Sequence, residues 1–213
     1  RISLLHGALI EPLAVCFHAL ERSQSKPGDT AVIIGAGPIG LMTALVARYL
    51  GLHVVISEMN PIRIEKARQF GLTTVNPKDM DLRQYIFFAT DGVGADAIFE
   101  VSGSQAGLDT VTELIHPHSR IVLVAAYPHP MQLKLQKLFM GEVNLTMTRN
   151  YNHSDFDAAI KMMEAASVNF DALITTILPL DQVQQGMELC GSPSGEVVKV
   201  MISCQSHTPA TFN

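Results

Sequence analysis

A short apolar segment that runs into a glycine-rich turn constrains the fold of this chain more than any other feature. Residues 30–40 read TAVIIGAGPIG, and a helical pattern follows over residues 41–50. In this GxGxxG arrangement Gly35 permits a tight turn, Gly37 lets the backbone approach a pyrophosphate, and Gly40 lets helix and strand pack closely. The N-terminus of such a helix presents N–H groups to the phosphates. The predicted cofactor-binding residues of the turn are Gly35, Gly37, Pro38, Ile39 and Gly40.

The end of the next apolar strand carries a carboxylate that bears on the choice of cofactor. Glu58 closes the segment HVVISE, eighteen residues after Gly40, where it can accept hydrogen bonds from both ribose hydroxyls of an adenosine. A carboxylate repels the 2′-phosphate of NADP, so the sequence favours NAD. Arg63 lies five residues later and is predicted either to cover the adenine or to be a solvated helix residue. FAD fits GAGPIG…E locally, but the sequence lacks the glycine pair that flavoproteins usually carry soon after the acid.

Strands and helices alternate along the chain and predict an α/β fold. The strands TAVIIG, HVVISE, TTVN, GADAIFEVSG, RIVLVAAY and EVNLTMTRN are separated by helices. Runs that are apolar on both faces are typical of a parallel sheet covered by helices on both sides. We predict a doubly wound parallel sheet of the Rossmann type, with strand order 3-2-1-4-5-6. After residue 150 the regular alternation ends. We predict a helix from Ser154, strands near 173–178 and 196–202, and a helix between these two strands.

Composition and charge exclude several classes of protein. The net charge is −5 and no lysine/arginine cluster occurs, which argues against a nucleic-acid partner. No run of eighteen apolar residues is present, and Glu11 and Pro12 interrupt the apolar N-terminal segment, so neither a membrane span nor a signal peptide is expected. Three cysteines without metal-binding spacing favour a reducing, cytoplasmic location. The hydrophobic share of 47% fits either a well-packed domain or a chain that buries surface against a partner.

Six separated segments resemble the zinc-type medium-chain dehydrogenases and occur in the same order. They are EPLAVCFHAL, KPGDTAVIIGAGPIGL, EMNPIRIEKARQFG, FEVSGS, RIVLVAAY and LPLDQVQQGMEL…GEVVKVMI, and the resemblance extends over residues 8–203. It is strongest to the polyol and sugar-acid branch, with dehydrogenases of the sorbitol, idonate and galactonate types. The resemblance implies NAD-linked oxidation of a secondary alcohol, with zinc polarising the alcohol oxygen.

The same resemblance implies that these residues correspond to the C-terminal part of such an enzyme. Family members carry an N-terminal GroES-like domain that supplies the main zinc ligands, and none of those segments occurs in this sequence, which begins with Arg1. We therefore expect residues 1–23 to be a linker and helix from the catalytic domain, 24–149 the NAD-binding domain, and 150–213 a segment that completes the catalytic domain. We expect the chain to bind the cofactor but not to catalyse alone.

Several further site residues are implied by the resemblance. Glu11 in EPL matches a glutamate that is either a zinc ligand or a neighbour of the ligands; the alternative is a carboxylate at a helix N-terminus. Arg149 in TRN matches an arginine on the substrate side, or is a solvated residue at a strand end. The implied cofactor contacts are Val101, Ser102 and Gly103 on the adenosine side, and Ala125 and Ala126 beside the nicotinamide. The alternative for the two alanines is packing within a buried strand.

The resemblance also bears on partners. The segment EVNLTM matches the edge strand through which two nucleotide-binding domains pair, which implies a homodimer or a tetramer. Two other functions stay open: a stand-alone NAD(P)-binding module without catalysis, and a zinc-free oxidoreductase similar to quinone reductases. The pair Glu11-Pro12 argues against the zinc-free alternative.

Overall fold

A computed structural model of the chain describes residues 2–166, 168–192 and 197–204. It divides into two compact units, Arg1–Val168 and Asn169–Asn213. The first unit contains the predicted nucleotide-binding domain together with helices on either side of it in sequence. The division at residues 24 and 150 remains a prediction.

The first unit contains a six-stranded sheet and eight helices within its described residues. The strands are β1 (Thr30–Ile34), β2 (His53–Ser57), β3 (Thr73–Val75), β4 (Ala95–Glu100), β5 (Ile115–Leu123) and β6 (Asn144–Met147). The helices are α1 (Leu4–Gly7), α2 (Ile10–Ser23), α3 (Pro38–Tyr49), α4 (Pro61–Gln69), α5 (Leu82–Ala89), α6 (Gln105–Val111), α7 (Leu135–Met140) and α8 (His153–Glu164).

The sheet has the predicted topology. Its order is β3-β2-β1-β4-β5-β6, and every neighbouring pair is parallel. The doubly wound fold is therefore confirmed. The strand order reverses direction between β1 and β4, and in open sheets of this kind ligands bind beyond the carboxyl ends of the strands at that point.

The central strand is buried on both faces, as its uninterrupted apolar sequence predicts. Val32 and Ile34 face a cluster that includes Ile98 and Leu108, whereas Ala31 and Ile33 point to the opposite face and are also fully buried. Helix α3 contributes a nearly continuous buried stretch from Gly40 to Ala47. This two-sided burial fixes β1 and α3, and so fixes the turn that joins them.

The fifth strand ends earlier than its sequence predicts. The apolar run RIVLVAAY predicted a strand over 120–127, but β5 ends at Leu123. The reason lies in the neighbouring strand, since β4 stops at Glu100. The N–H groups of Val124 and Ala125 both donate to the backbone carbonyl of Glu100, at 2.9 and 3.2 Å. The last residues of the apolar run therefore form a loop.

The second unit is small. A 3₁₀ turn at Phe170–Leu173 leads into β7 (Ile174–Pro179), and helix α9 (Val183–Gly191) precedes β8 (Lys199–Ser203). The two strands pair with each other in parallel. The start of the last predicted strand, at residue 196, and the segment 205–213 lie outside the described residues. No helix in the described part of the chain combines the length and apolar character that crossing a membrane requires.

Candidate functional site

The three glycines of the turn after β1 have three different environments. Gly35 has φ +103°, and a Cβ there would lie 3.3 Å from Ser102 in the loop after β4. A Cβ on Gly40 would overlap the carbonyl oxygen of Gly35, so α3 packs directly onto the turn. A Cβ on Gly37, in contrast, would meet nothing within 4 Å. Gly35 and Gly40 thus allow close packing around the turn, whereas Gly37 borders open space.

That open space lies at the N-terminus of α3. Gly37 is the N-cap, Pro38 follows it, and no side chain caps the helix end. The first amides of the helix therefore keep the capacity to bond an anion, and the helix dipole favours negative charge there. These features fit the pyrophosphate of a dinucleotide.

Glu58 connects the end of β2 to the glycine turn. Its Oε2 accepts a hydrogen bond from the Ala36 N–H at 2.8 Å. Its Oε1 accepts from the N–H groups of Met59, at 2.7 Å, and Asn60, at 2.8 Å. The Arg63 guanidinium lies 3.9 Å from Oε2. An ionised carboxylate offers about four acceptor positions, so most of its capacity is used by the backbone, and the remainder is on Oε2.

The loops after β4 and β5 meet beside the same turn. The Val101 N–H donates to the Ile34 carbonyl at 3.1 Å, which joins the loop to the end of β1. Gly103 has φ +67°, and a Cβ there would lie 3.1 Å from the Ala126 carbonyl oxygen. The predicted cofactor-binding residues therefore come together at the carboxyl edge of the sheet. The contacts that connect them include those of Gly35 with Ser102, Ala36 with Glu58, and Gly103 with Ala126.

The other two predicted site residues belong to other segments of the chain. Arg149 is exposed and follows β6 at the carboxyl edge of the sheet. Glu11 is exposed in the first turn of α2. Within the described residues Glu11 belongs to no group of three close metal-ligating side chains. These residues alone therefore do not form a zinc site around Glu11.

Cys16, one turn further along α2, is not available as a metal ligand. It is fully buried, and its thiol donates to the Pro12 carbonyl at 3.2 Å. Burial raises the pKa of Cys16 to about 12, and the negative charge of Glu11 adds to the rise. The thiol therefore stays protonated at neutral pH, and its full burial keeps it away from an incoming metal ion.

Sequence reasoning missed a group of three side chains that links α2 to α8. Nδ1 of His18 lies 2.9 Å from Oδ2 of Asp155 and 3.5 Å from Oε2 of Glu21. Asp155 also accepts from the Asn152 N–H at 2.7 Å, as part of a capping box. These bonds make the group a connection between helices. His18 and Asp155 are 137 positions apart, so no local pattern could have indicated the pair.

Two cavities lie away from the glycine turn. One of about 490 Å³ is lined by residues of α2, β5 and β6, including His18, Arg22 and Arg120. The other, of about 530 Å³, is lined mainly by α7 and includes Leu145. No residue of the glycine turn lines either of them.

The doubly wound sheet, the glycine turn at its switch point and the carboxylate ending β2 define the class of domain, a Rossmann-type α/β domain. Residues 38–165 match the family described as zinc-binding dehydrogenase. The chain belongs to this family. The resemblance found in the sequence is thereby confirmed, and membership implies a nicotinamide dinucleotide and zinc in the intact enzyme.

Individual relatives agree with the family match. The chain is 36% identical over 206 residues to 2-dehydro-3-deoxy-L-galactonate 5-dehydrogenase of Pseudoalteromonas atlantica, covering 96% of this chain and 60% of the relative. It is 34% identical over 206 residues to (R,R)-butanediol dehydrogenase of Neisseria gonorrhoeae, covering 95% and 58%. The crystal structure of 2R,3R-butanediol dehydrogenase from Bacillus subtilis superposes with a TM-score of 0.88 at 27% identity, covering 96% and 59%. The chain thus spans about three fifths of the length of these relatives.

Proposed function

We propose that this chain is the nicotinamide-dinucleotide-binding part of a zinc-dependent dehydrogenase that oxidises a secondary alcohol of a polyol or sugar acid. The observation that carries the proposal is the uncapped N-terminus of α3, which borders open space at Gly37. The names of the galactonate and butanediol relatives support the substrate class. Ala125 and Ala126 would hold the nicotinamide, which would supply the hydride acceptor.

NAD is the proposed cofactor rather than NADP. The Glu58 carboxylate lies beside the glycine turn with a side chain only 10% exposed, so its negative charge is poorly screened by solvent. A 2′-phosphate at that point would meet this charge at close range. Arg63, at 3.9 Å, offsets only part of it. The acceptor position left on Oε2 can take a hydrogen bond from one ribose hydroxyl. We therefore propose one such hydrogen bond, where the sequence led us to expect hydrogen bonds from both hydroxyls.

Dehydrogenation by the chain alone is not expected. Glu11 is placed among no further metal ligands within the described residues, so zinc would need donors from elsewhere in the intact enzyme. Arg149, exposed beyond β6, remains the proposed substrate-side residue. The free cysteines Cys16, Cys190 and Cys204 fit the proposed cytoplasmic location.

A homodimer formed through β6 is also proposed. Within the described sheet β6 pairs only with β5, so its other edge is open. Large apolar side chains lie exposed on and beside it: Phe139 at 80%, Met140 at 73% and Met147 at 65%. An open apolar edge invites pairing with another strand, and a second copy of the chain offers the same edge.

The function is tested by titrating the chain with NADH and following the fluorescence of the nicotinamide. Gly37→Ala is the informative variant, because its methyl group enters open space at an ordinary φ of −63° and so should not disturb the fold. Gly7→Ala, in α1, also adds a methyl group to open space and is the matched control.

We expect the wild-type chain and Gly7→Ala to bind NADH equally, and Gly37→Ala to bind at least about tenfold more weakly because its methyl group occupies the place of the pyrophosphate. Equal binding by all three proteins would show that the dinucleotide does not lie against this turn. Absence of binding by the wild-type chain would contradict the proposal as a whole.

A further inference from the structure

The most deeply buried acidic side chain of the described sheet is that of Glu100, for which the sequence predicted no role. Glu100 is the last residue of β4, and its side chain is fully buried. An isolated carboxylate in such a place is very costly unless hydrogen bonds replace its water. Its Oε1 accepts from the Ser102 N–H at 2.9 Å and from the Ser102 hydroxyl, and Gly103 N–H lies 3.2 Å from both oxygens. Its Oε2 accepts from the Tyr127 hydroxyl.

These donors come from two loops that are both predicted to contact the cofactor. Ser102 and Gly103 belong to the loop after β4, on the predicted adenosine side. Tyr127 follows Ala126 in the loop after β5, on the predicted nicotinamide side. One buried carboxylate therefore holds both loops, which also touch each other where Gly103 approaches the Ala126 carbonyl. Ser102 packs against Gly35, so the position of the loop after β4 also determines the distance between that loop and the glycine turn.

Helix α6 leaves room for this arrangement at one position. A Cβ on Gly107 would lie 2.5 Å from Glu100 Oε1 and would also overlap the Ser102 hydroxyl. The pKa of Tyr127 is raised, mainly by burial and secondly by the hydrogen bond of its hydroxyl to Glu100. The hydroxyl therefore remains a donor at neutral pH. The carboxylate is thus enclosed by α6 and the two loops.

We propose that Glu100 is a positioning residue of the dinucleotide site: its carboxylate sets the loop after β4 against the glycine turn, and through Tyr127 it sets the loop after β5. The inference rests on the proposed function, since it concerns affinity for the dinucleotide. Glu100 itself is not proposed to touch any cofactor atom. Its effect is to hold Ser102, Gly103 and Ala126 where they would touch the cofactor.

The test uses two variants of the network and two probes, NADH and AMP. Tyr127→Phe keeps the ring and removes only the hydroxyl that reaches Glu100. It should weaken NADH binding about threefold to tenfold while leaving AMP binding unchanged, because AMP lacks the nicotinamide half. Glu100→Gln places an amide group against N–H and O–H donors, and it should weaken both ligands by about tenfold or more. The fluorescence enhancement of bound NADH should fall in both variants, which general loss of stability would not produce.

Non-additivity gives a second readout. If both residues act through one network, the double variant should lose little more NADH affinity than Glu100→Gln alone. The inference is overturned if the folded Glu100→Gln variant binds NADH with an affinity within about twofold of that of the wild-type chain. Loss of a buried hydrogen bond would change the affinity by more than this. It is also overturned if Tyr127→Phe, which does not depend on Glu100→Gln folding, leaves NADH affinity and enhancement unchanged. Failure of the wild-type chain to bind either probe would instead remove the proposed function, and this inference with it.

Discussion

The Oε2 atom of Glu58 accepts a hydrogen bond from the backbone N–H of Ala36 at 2.8 Å, so the end of β2 is joined directly to the glycine turn after β1. One side chain therefore carries two properties. It fixes the conformation of the turn, and it places a negative charge where the adenosine ribose of a dinucleotide would lie.

The first prediction concerns this charge. Glu58→Gln should reduce the preference for NADH over NADPH by about tenfold, because the repulsion of the 2′-phosphate and a charge-assisted bond to the ribose are both removed. Parallel titrations with the two nucleotides measure the ratio. Glu65→Gln changes the same charge at an exposed position on α4 and should leave the ratio as it is in the wild-type chain. An unchanged ratio in Glu58→Gln would remove the role assigned to Glu58.

The second prediction separates the two helix-side glycines of the turn. Gly40→Ala should lower the free energy of unfolding by about 1–3 kcal/mol, because its methyl group overlaps the Gly35 carbonyl and forces α3 away from β1. Gly37→Ala should keep the free energy of unfolding within about 0.5 kcal/mol of the wild-type value, because its methyl group contacts no other atom. Urea unfolding followed by circular dichroism measures both. Equal stability of the two variants would contradict the packing role of Gly40.

The third prediction is a pH dependence of stability that arises from Cys16. Its folded pKa of about 12 lies above the ordinary 9.0, so between these values the unfolded chain loses this proton while the folded chain keeps it. Stability should therefore fall as the pH rises above 9.0, with Cys16 contributing a slope of up to about 1.4 kcal/mol per pH unit.

Cys16→Ser provides the comparison, because a serine hydroxyl does not ionise in this range and can still donate to the Pro12 carbonyl. The free energy of unfolding, measured by urea between pH 8 and about pH 10.5, should fall more steeply in the wild-type chain than in Cys16→Ser. Parallel curves for the two proteins would mean that the thiol ionises as readily in the folded chain as in the unfolded one.

The fourth prediction concerns the open edge of the sheet. Met147→Lys should shift the chain from dimer to monomer in size-exclusion chromatography with light scattering, because a charged side chain on an edge strand opposes pairing. Met80→Lys changes a residue of similar exposure, 51% against 65%, away from the edge and should leave the dimer intact. A wild-type chain that is monomeric at all concentrations would contradict the proposed dimer.

Much of the fold follows from local patterns in the sequence. Six apolar runs separated by helical segments predicted the sheet, its parallel strands and its order, because consecutive right-handed crossovers leave few alternatives. The predicted cofactor residues come together for the same reason: the carboxyl ends of parallel strands share one edge. The glycine turn and Glu58 could be placed at that edge without any structure.

What the sequence did not indicate depends on contacts between distant segments. In the sequence Glu100 is an acidic residue at the end of a strand, with no sign of a special role. Its contact with Tyr127 depends on the folded position of the loop after β5. His18 and Asp155 meet because α2 packs on α8, which no periodicity within either helix encodes. The end of β5 was misplaced because the apolar run continues past Leu123, whereas the neighbouring strand that would support it ends at Glu100.

The central claim is that the glycine turn and Glu58 bind NAD, and a parallel titration of the 213-residue chain with NADH and NADPH tests it most directly. We expect saturable binding of NADH and clearly weaker binding of NADPH, both read from nicotinamide fluorescence. Equal or tighter binding of NADPH would contradict the role of Glu58 and point to Arg63 as a phosphate contact. Failure of a folded sample to bind either nucleotide would contradict the claim altogether.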